Sequence, residues 1–333
     1  MQNFQLLENE SIQTPFGVFA GVTSHVCYPT GELEGLTLSE KNMMVTHIGE
    51  LIPFYSETER RKNKYSVEFY KSGTVKAVSL DSQQEVTTPI GEFPAELVTF
   101  YESGELSRLF PLDGKISGFW SEEDERNLHI PLGFDLGFSR FTARIGAISF
   151  FQNGGIRSIT LFPGDTIEVS TAYGSITARN GFSLYESGEL ASVEPEAPVQ
   201  INTPIGTLTA FDPNAIGISA DTNSLEFYPE GTIKKLTVLG NTIAVQTSDS
   251  QMEWFHSRKI PHPLEDESEQ LVGIAVSFDS GGGAVEIKGD RQGNFVIKDC
   301  GFTVGKENAG EAYTCSPADC ASCSLCGKGA SIQ

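Results

Sequence analysis

The stretch Val98-Thr99-Phe100-Tyr101-Glu102-Ser103-Gly104-Glu105-Leu106 decides how this chain folds. Its first half alternates as a strand does, so that Val98 and Phe100 fall on one face. Gly104 can then adopt the positive φ that closes a short hairpin with a bulge, which is costly for a residue with a Cβ atom. The stretch therefore predicts a β-hairpin.

Copies of this hairpin recur along the chain. Each close copy has an aromatic or aliphatic residue followed by an aromatic one, then a turn glycine, and then aliphatic residues at the second and fifth positions after that glycine. The close copies are Phe69-Tyr70-Lys71-Ser72-Gly73-Thr74-Val75, Phe150-Phe151-Gln152-Asn153-Gly154-Gly155-Ile156, Leu184-Tyr185-Glu186-Ser187-Gly188-Glu189-Leu190 and Phe227-Tyr228-Pro229-Glu230-Gly231-Thr232-Ile233. The looser copies are Cys27-Tyr28-Pro29-Thr30-Gly31-Glu32-Leu33 and Phe278-Asp279-Ser280-Gly281. Irregular outer copies are typical of the capping units of a repeat protein.

A second motif is interleaved with the first. Its near-identical copies are Thr14-Pro15-Phe16-Gly17, Thr88-Pro89-Ile90-Gly91 and Thr203-Pro204-Ile205-Gly206. Looser versions are Thr46-His47-Ile48-Gly49, Ile130-Pro131-Leu132-Gly133 and Thr171-Ala172-Tyr173-Gly174. Short and long units alternate between the two motifs. The pattern therefore predicts about three double repeats, starting near residues 12, 86 and 169, with a partial fourth entered near residue 243.

The motifs predict an all-β fold, an elongated antiparallel β-hairpin repeat array built as a single sheet or a solenoid. We expect the array to occupy residues 1–290 and a C-terminal segment with a short cysteine-rich tail to occupy residues 291–333. The long units carry insertions, which in repeat proteins emerge at equivalent places and line one face. These insertions are residues 53–64, 121–129, 212–223 and 256–269.

The hairpin stretch is followed a few residues later by Asp113-Gly114-Lys115-Ile116-Ser117-Gly118-Phe119-Trp120. Together the two segments resemble the MORN-variant repeat of bacterial proteins. The resemblance covers most of residues 12–290 through short motifs. It implies tyrosine-asparagine/serine-glycine hairpins that stack into an elongated antiparallel sheet and serve mainly as binding or assembly scaffolds. The chain departs from the family pattern because most units lack the second glycine-containing half, and because the Thr-Pro-Ile-Gly element is not part of that pattern.

Charge argues against a nucleic-acid partner. The 333 residues include 23 Lys and Arg against 44 Asp and Glu, giving a net charge of −21, whereas affinity for phosphate backbones comes from Lys and Arg. The one basic run, residues 60–64, and the acidic runs at 122–125 and 265–267 are interpreted as solvated loops. Because residues 1–8 lack a signal-peptide pattern and no apolar run could span a bilayer, we expect no membrane association and a cytoplasmic protein.

The densest chemical cluster is the tail spacing Cys315-x4-Cys320-x2-Cys323-x2-Cys326. Four thiolates suffice to hold zinc or an iron–sulfur cluster, and in a reducing compartment such clusters are more often ligands than disulfides. The first three cysteines match the plant-type ferredoxin spacing, but the fourth follows too soon. Disulfides, redox-active thiols or a cysteine-rich tail without a ligand remain open at this point.

Other candidate residues favour structural roles. The five histidines, His25, His47, His129, His256 and His262, lack metal-site spacing. The recurring tyrosines 70, 101, 185 and 228 share one strand face and predict a packing ladder between neighbouring hairpins rather than a ligand-stacking row. No nucleophile elbow, P-loop or dinucleotide fingerprint is present in the sequence.

The sequence thus favours a non-enzymatic repeat scaffold that binds a protein partner through its long insertions or its tyrosine face. Two alternatives stay open. In the first, the protein is a redox-associated metalloprotein whose cysteine tail is the functional site. In the second, it is an enzyme with a groove site walled by the insertions.

Overall fold

The protein is described by a computed structural model that covers residues 4–56, 58–61, 65–215, 223–261 and 268–306. These residues are almost entirely β-structure, with one short α-helix and one turn of 3-10 helix among them. The strands form a large antiparallel sheet that does not close on itself, together with smaller two- and three-stranded sheets.

The main sheet runs as a meander in which successive strands pair side by side. Its path is β1-β2-β3-β6-β7-β8-β9-β12-β13-β15-β16-β19-β20-β25-β26-β27. The first half consists of β1 (Phe4–Thr14), β2 (Gly17–Cys27), β3 (Leu33–Leu38), β6 (Val67–Phe69), β7 (Val75–Thr88), β8 (Gly91–Phe100), β9 (Leu106–Phe110) and β12 (Ile145–Phe150). The second half consists of β13 (Ile156–Leu161), β15 (Gly174–Leu184), β16 (Leu190–Pro195), β19 (Leu225–Phe227), β20 (Ile233–Val238), β25 (Ile274–Phe278), β26 (Ala284–Lys288) and β27 (Gln292–Val296).

The remaining strands form shorter hairpins beside this meander. Three of them join the main sheet: β14 (Ile167–Thr171), β17 (Val199–Thr203) and β18 (Gly206–Ala210). The small sheets are β4 (Met44–Thr46) with β5 (Gly49–Leu51), β10 (Leu132–Asp135) with β11 (Arg140–Ala143), β23 (Arg258–Pro261) with β24 (Glu269–Val272), and β21 (Asn241–Gln246) between β22 (Met252–Phe255) and β28 (Gly301–Lys306). The α-helix α1 is Glu122–Leu128, and the 3-10 turn is Ile297–Asp299.

Strand pairing continues past residue 290, where the sequence predicts a change of segment. Strand β27 pairs with β26, and β28 pairs with β21. Phe295 and Phe302 also pack edge to face, with ring centroids 6.4 Å apart. The sheets therefore extend to Lys306, while the domain division itself stays a prediction.

Six hairpins of the meander have the same turn. In the hairpin of the opening stretch, the Tyr101 amide donates to the Glu105 carbonyl and the Gly104 amide donates to the Tyr101 carbonyl, at 2.8 and 2.9 Å. Gly104 has a φ of 108°, which only glycine adopts without strain. Phe100 pairs with Leu106 after a register shift, which is the bulge expected from the spacing of the aliphatic residues. The equivalent turn glycines are Gly31, Gly73, Gly154, Gly188 and Gly231.

The looser copy at residues 278–281 closes differently. The Asp279 amide donates to Ala284, one residue further along than in the other hairpins, and Gly282 rather than Gly281 takes the positive φ. The extra residue makes this turn wider than the turns of the six hairpins described above.

Tyrosine hydroxyls link one hairpin to the next. Tyr101 donates its hydroxyl proton to the carbonyl of Phe150, at 2.7 Å. The same bond is made from Tyr28 to Phe69, Tyr70 to Phe100, Tyr185 to Phe227 and Tyr228 to Phe278, at 2.7–2.9 Å. The predicted link between neighbouring hairpins is present for the four predicted tyrosines, and Tyr28 extends the row. Each bond satisfies a carbonyl at the end of a strand.

The Thr-x-x-Gly motif closes the shorter hairpins through its threonine. In the copy at residues 203–206, the Thr203 hydroxyl donates to the Gly206 carbonyl at 2.7 Å and accepts from the Ile205 amide at 3.3 Å. Four other threonines do the same: Thr14, Thr46, Thr88 and Thr171. This hydrogen bonding stabilises a turn in the way Ser and Thr side chains commonly do.

One predicted copy of this motif is wrong. Gly133 of Ile130-Pro131-Leu132-Gly133 lies inside β10 opposite Thr142, not in a turn. The turn of that hairpin lies further on, where Leu136 donates to Ser139 and Gly137 has a φ of 76°. Ile130 occupies the threonine position and has no side-chain hydroxyl to close the turn.

The core lies between the meander and the shorter hairpins. Its largest fully buried side chains include Phe69, Phe150, Phe182 and Phe227. Turn residues of the shorter hairpins cover these rings: Tyr173, for example, stacks on Phe227 at 6.2 Å and its hydroxyl accepts a bond from the Ile233 amide. The apolar side chains that alternate along the strands of each hairpin are thereby buried on one face of the sheet. Their burial stabilises the packing of the shorter hairpins on the meander.

Candidate functional site

The insertion at residues 121–129 folds as helix α1 because its first turn is capped. The Ser121 hydroxyl accepts a bond from the Asp124 amide at 3.1 Å, and the Asp124 carboxylate accepts one from the Ser121 amide at 2.9 Å. This reciprocal pair is a capping box, which satisfies amides that a helix start would otherwise leave without partners. Glu122 and Glu123 occupy the first turn, where negative charge is stabilised by the helix dipole.

Glu125 anchors this helix to the insertion at residues 53–64. Its carboxylate accepts two bonds from the Arg60 guanidinium, at 2.8 and 2.9 Å. It also accepts bonds from the Trp120 indole at 2.7 Å and the Gly114 amide at 2.9 Å. Only 7% of the Glu125 side chain is exposed, so the ion pair is largely shielded from water and charge-assisted on both oxygens.

The same Arg60 guanidinium binds a second buried carboxylate, Glu96 of strand β8, through two bonds of 2.9 Å. Glu96 in turn pairs with Arg61 at 3.1 Å and accepts from the Asp113 amide at 2.8 Å. Arg61 also donates to the backbone carbonyls of Leu80 and Glu96. Two insertions and two sheet strands are therefore held together by one network of charges, which we call the Arg60 clamp (Arg60, Arg61, Glu96 and Glu125).

Opposing effects set the protonation of the clamp. Burial by itself would raise the pKa of Glu125, but hydrogen bonds from Arg60 and Trp120 hold that pKa below its usual value. Burial likewise opposes the charge of Arg60, and its bonds to Glu125 and Glu96 raise the pKa of Arg60 instead. Arg60 and Glu125 are therefore both charged at neutral pH. A carboxylate whose lone pairs are used in this way fits a structural role better than proton transfer.

The other side of helix α1 is fixed to the loop after β13. Arg126 pairs with Asp165 at 3.0 Å, and Asp165 also accepts from the Arg144 amide at 2.9 Å. The His129 ring packs on Phe162 with centroids 4.5 Å apart, and burial lowers the pKa of His129. The structural role expected for this histidine agrees with its position at the end of the helix.

An apolar tip projects from this anchored insertion. Large hydrophobic side chains within residues 116–130 are exposed: Ile116 by 54%, Phe119 by 86%, Leu128 by 44% and Ile130 by 63%. Phe119 lies in a turn closed by a bridge between Ser117 and Trp120, and its amide donates to the Ser117 hydroxyl at 3.2 Å. A phenylalanine this exposed, on a segment this firmly held, is a candidate contact for another molecule.

The interpretation of the charged runs as solvated loops is wrong for part of the basic run at residues 60–64 and for part of the acidic run at residues 122–125, whereas the run at residues 265–267 lies outside the described residues. Arg61 and Glu125 of helix α1 are buried, and the Arg60 side chain, which is 15% exposed, is an ion-pair partner of Glu96 and Glu125. A signal for the helix was available, because Ser121 followed three residues later by Asp124 is a capping pattern. The partners of Arg60 lie 36 and 65 residues away in sequence, and no local pattern identifies them.

A second buried charge site lies beside the insertion at residues 212–223. The Glu194 side chain is 1% exposed and accepts two bonds of 2.8 Å from the amide and hydroxyl of Ser224. The Arg179 guanidinium is 3.9 Å from Glu194 and donates to the Asp212 carbonyl at 2.8 Å. Burial raises the pKa of Glu194 to about 7, against the lowering effect of Ser224 and Arg179.

Two depressions lie on the surface of the described residues. One, of about 350 Å³, lies beside strand β27 and is lined by Phe278, Val285 and Phe295 among others. The other, of about 270 Å³, is lined by residues that include Phe16 and Phe100. Both linings are mainly apolar, and the Arg60 clamp lines neither of them.

The predicted ligands Cys315, Cys320, Cys323 and Cys326 lie outside the described residues. The two cysteines that are described, Cys27 and Cys300, are free and partly buried. Within the described part of the chain, no group of three or more His, Cys, Asp or Glu side chains is placed to hold a metal ion. The metal prediction therefore stays a prediction.

Comparison with known proteins gives no relative for this chain: no family model, no curated protein and no solved structure matches it. Across the residues that the structure describes, no helix is both long and apolar enough to cross a membrane.

Proposed function

We propose that this protein is a non-enzymatic scaffold for protein–protein interaction. Its hairpins form an elongated repeat array of the MORN-variant kind, and its insertions present a binding surface to a protein partner. We propose neither a nucleic acid nor a membrane as the partner, because a net charge of −21 would repel phosphate groups and anionic lipid.

The observation that carries the proposal is the combination of the Arg60 clamp with the apolar tip. A surface side chain contributes most to binding when it is held in place beforehand, because less ordering entropy is lost on association. Phe119 is 86% exposed, yet its segment is tied to the sheet through Glu125, Gly114 and Trp120. This arrangement supports a role for Phe119 as a contact that is already held in place for a partner, rather than as a side chain of this chain's own core.

The test is recovery of a partner from the extract of the native source with the whole chain as bait. We expect one protein to be recovered in stoichiometric amount by the wild type and lost with Phe119→Ser. Val45→Ser is the matched control, because Val45 is 66% exposed on a different hairpin. Equal recovery by wild type, Phe119→Ser and a deletion of residues 121–129 would show that the insertion is not the binding surface.

The cysteine tail supports a second candidate function, a redox-associated or structural metal site. Four cysteines within twelve residues of sequence match the ligand count of zinc and iron–sulfur sites, and the cytoplasm that we propose as the compartment keeps thiols reduced. Metal analysis after anaerobic purification should give close to one equivalent of zinc or one cluster, lost when Cys320 and Cys323 are replaced by Ser. Less than about 0.2 equivalents of both metals would remove this candidate.

A further inference from the structure

We propose that the apolar tip binds a cationic segment of the partner, in which a large apolar side chain is flanked by Lys or Arg. This inference rests on the proposed scaffold function and adds the chemical class of the segment that the tip recognises. The site consists of Phe119 and Ile116 as the apolar part and of Glu122 and Glu123 as the charged part.

The apolar part fits an apolar anchor on the partner. Phe119 and Ile116 are 86% and 54% exposed; Phe119 lies within the Ser117–Trp120 turn and Ile116 directly precedes it. Covering an aromatic side chain removes a large apolar area from water, and aromatic side chains dominate the binding free energy of many interfaces. The clamp below this turn means that binding does not have to order the loop first.

The charged part of the site determines which charge the partner segment should carry. Glu122 and Glu123 directly follow the tip and are exposed, and within the described residues neither forms an ion pair or a side-chain hydrogen bond. Arg60 does not compensate them, because it is bound by Glu96 and Glu125. Arg126 is bound by Asp165, which it shares with Arg144. Lys115, which is exposed beside Ile116, offsets one negative charge. The first turn of α1 carries three exposed carboxylates, so the tip keeps a net negative field that attracts positive groups and steers their approach.

The same field disfavours the other occupants of an exposed apolar tip. A second copy of this chain placed tip to tip would bring the two sets of glutamates together, and like charges that face each other across an interface suppress association. An anionic membrane surface would be repelled for the same reason. A cationic protein segment is the occupant whose charge complements the site.

The experiment selects peptides from a displayed random 12-residue library on the whole protein. The same selection is run on the Phe119→Ser variant, and a peptide counts as a binder when it is more enriched on the wild type than on this variant. We expect the enriched peptides to share an aromatic or large aliphatic residue beside two or more Lys or Arg. A synthetic peptide of the enriched sequence should lose at least tenfold in affinity with Phe119→Ser, and severalfold with Glu122→Lys/Glu123→Lys. The control Glu186→Lys/Glu189→Lys makes the same charge change on a hairpin turn and should leave the affinity within twofold.

Three outcomes overturn the inference: no enrichment over Phe119→Ser, enriched peptides without net positive charge, or an equal loss of affinity in the control pair. The outcome also separates this inference from the scaffold function. If the native partner is recovered through Phe119 but the peptides are neutral or acidic, the scaffold stands and the cationic class is wrong. If no native partner is recovered while cationic peptides bind at the tip, the scaffold function is what fails.

Discussion

Phe151 interrupts the row of tyrosine hydroxyls. Its amide and that of Gly154 make the same turn bonds as in the other hairpins, but phenylalanine has no hydroxyl to donate to the neighbouring hairpin. By analogy with the five existing bonds, the carbonyl in line with position 151 is that of Leu184. The sequence predicts that these side chains form a row. It does not predict the hydrogen bonds from their hydroxyls, because the acceptor carbonyls belong to the neighbouring hairpins.

Restoring the missing hydroxyl should stabilise the protein. We expect Phe151→Tyr to raise the free energy of unfolding by about 1 kcal/mol, the net contribution of a typical hydrogen bond. Tyr185→Phe, which removes an existing bond to Phe227, should lower it by about the same amount. Denaturant midpoints measure both effects, with Tyr55→Phe as the control because Tyr55 is not part of the row. A destabilised Phe151→Tyr protein would show that the hairpin pair around position 151 does not share the common geometry.

Glu194 should make stability depend on pH. Its pKa is raised from 4.5 to about 7 in the folded protein, so between these values the folded state binds a proton that the unfolded state has released. Stability therefore falls as pH rises from about 4.5 to about 7, and the loss from this residue is complete above pH 7. The shift corresponds to roughly 3 kcal/mol.

Glu194→Gln removes this titration and keeps the size of the side chain. We expect the difference in unfolding free energy between Glu194→Gln and wild type to move in favour of the variant by up to roughly 3 kcal/mol between pH 4.5 and 8. Glu196→Gln, at an exposed position two residues away, should show almost no such change. A pH-independent difference for Glu194→Gln would mean that Glu194 stays ionised in the folded protein.

Helix α1 depends on Glu125 more than on its own helix propensity. It has seven residues, too short to be stable alone in water. Glu125→Ala would leave Arg60 with one carboxylate fewer in a shielded site, and removing one partner of a buried ion pair costs about 3–5 kcal/mol. We expect the insertion to detach locally, with fast amide exchange at Gly114 and at position 125, and with a red-shifted Trp120 emission in a Trp254→Phe background.

Glu123→Ala is the matched control, because Glu123 lies on the same helix and is exposed. It should leave both amide exchange and Trp120 emission unchanged. If Glu125→Ala also leaves them unchanged, the clamp does not hold the insertion, and the apolar tip loses its rigid support.

The hairpins were predictable because their signals are local. Alternation, the turn glycine and the bulge spacing act within about ten residues, as at Phe100 to Leu106, and the structure places a hairpin there. The Arg60 clamp was not predictable, because Arg60 binds carboxylates that lie 36 and 65 residues away in sequence. The exposed Phe119 was equally hidden, because a phenylalanine beside a tryptophan reads as core until its surroundings are known.

The arrangement of the whole chain follows from adding hairpins to one open sheet. The meander has sixteen strands among the described residues, and neighbouring strands lie about 4.8 Å apart, which gives a width of roughly 70 Å. A compact globule of this chain length would have a radius of gyration of about 20 Å and a diameter of roughly 50 Å. We propose an elongated array, in which several insertions would lie side by side.

Small-angle X-ray scattering tests this elongated array most directly. For the whole chain and for a chain ending at Lys306, which removes any contribution of the tail, we predict a maximum dimension of at least roughly 70 Å and a skewed distance distribution. A symmetric distribution ending near roughly 50 Å for the shorter chain would contradict the elongated scaffold.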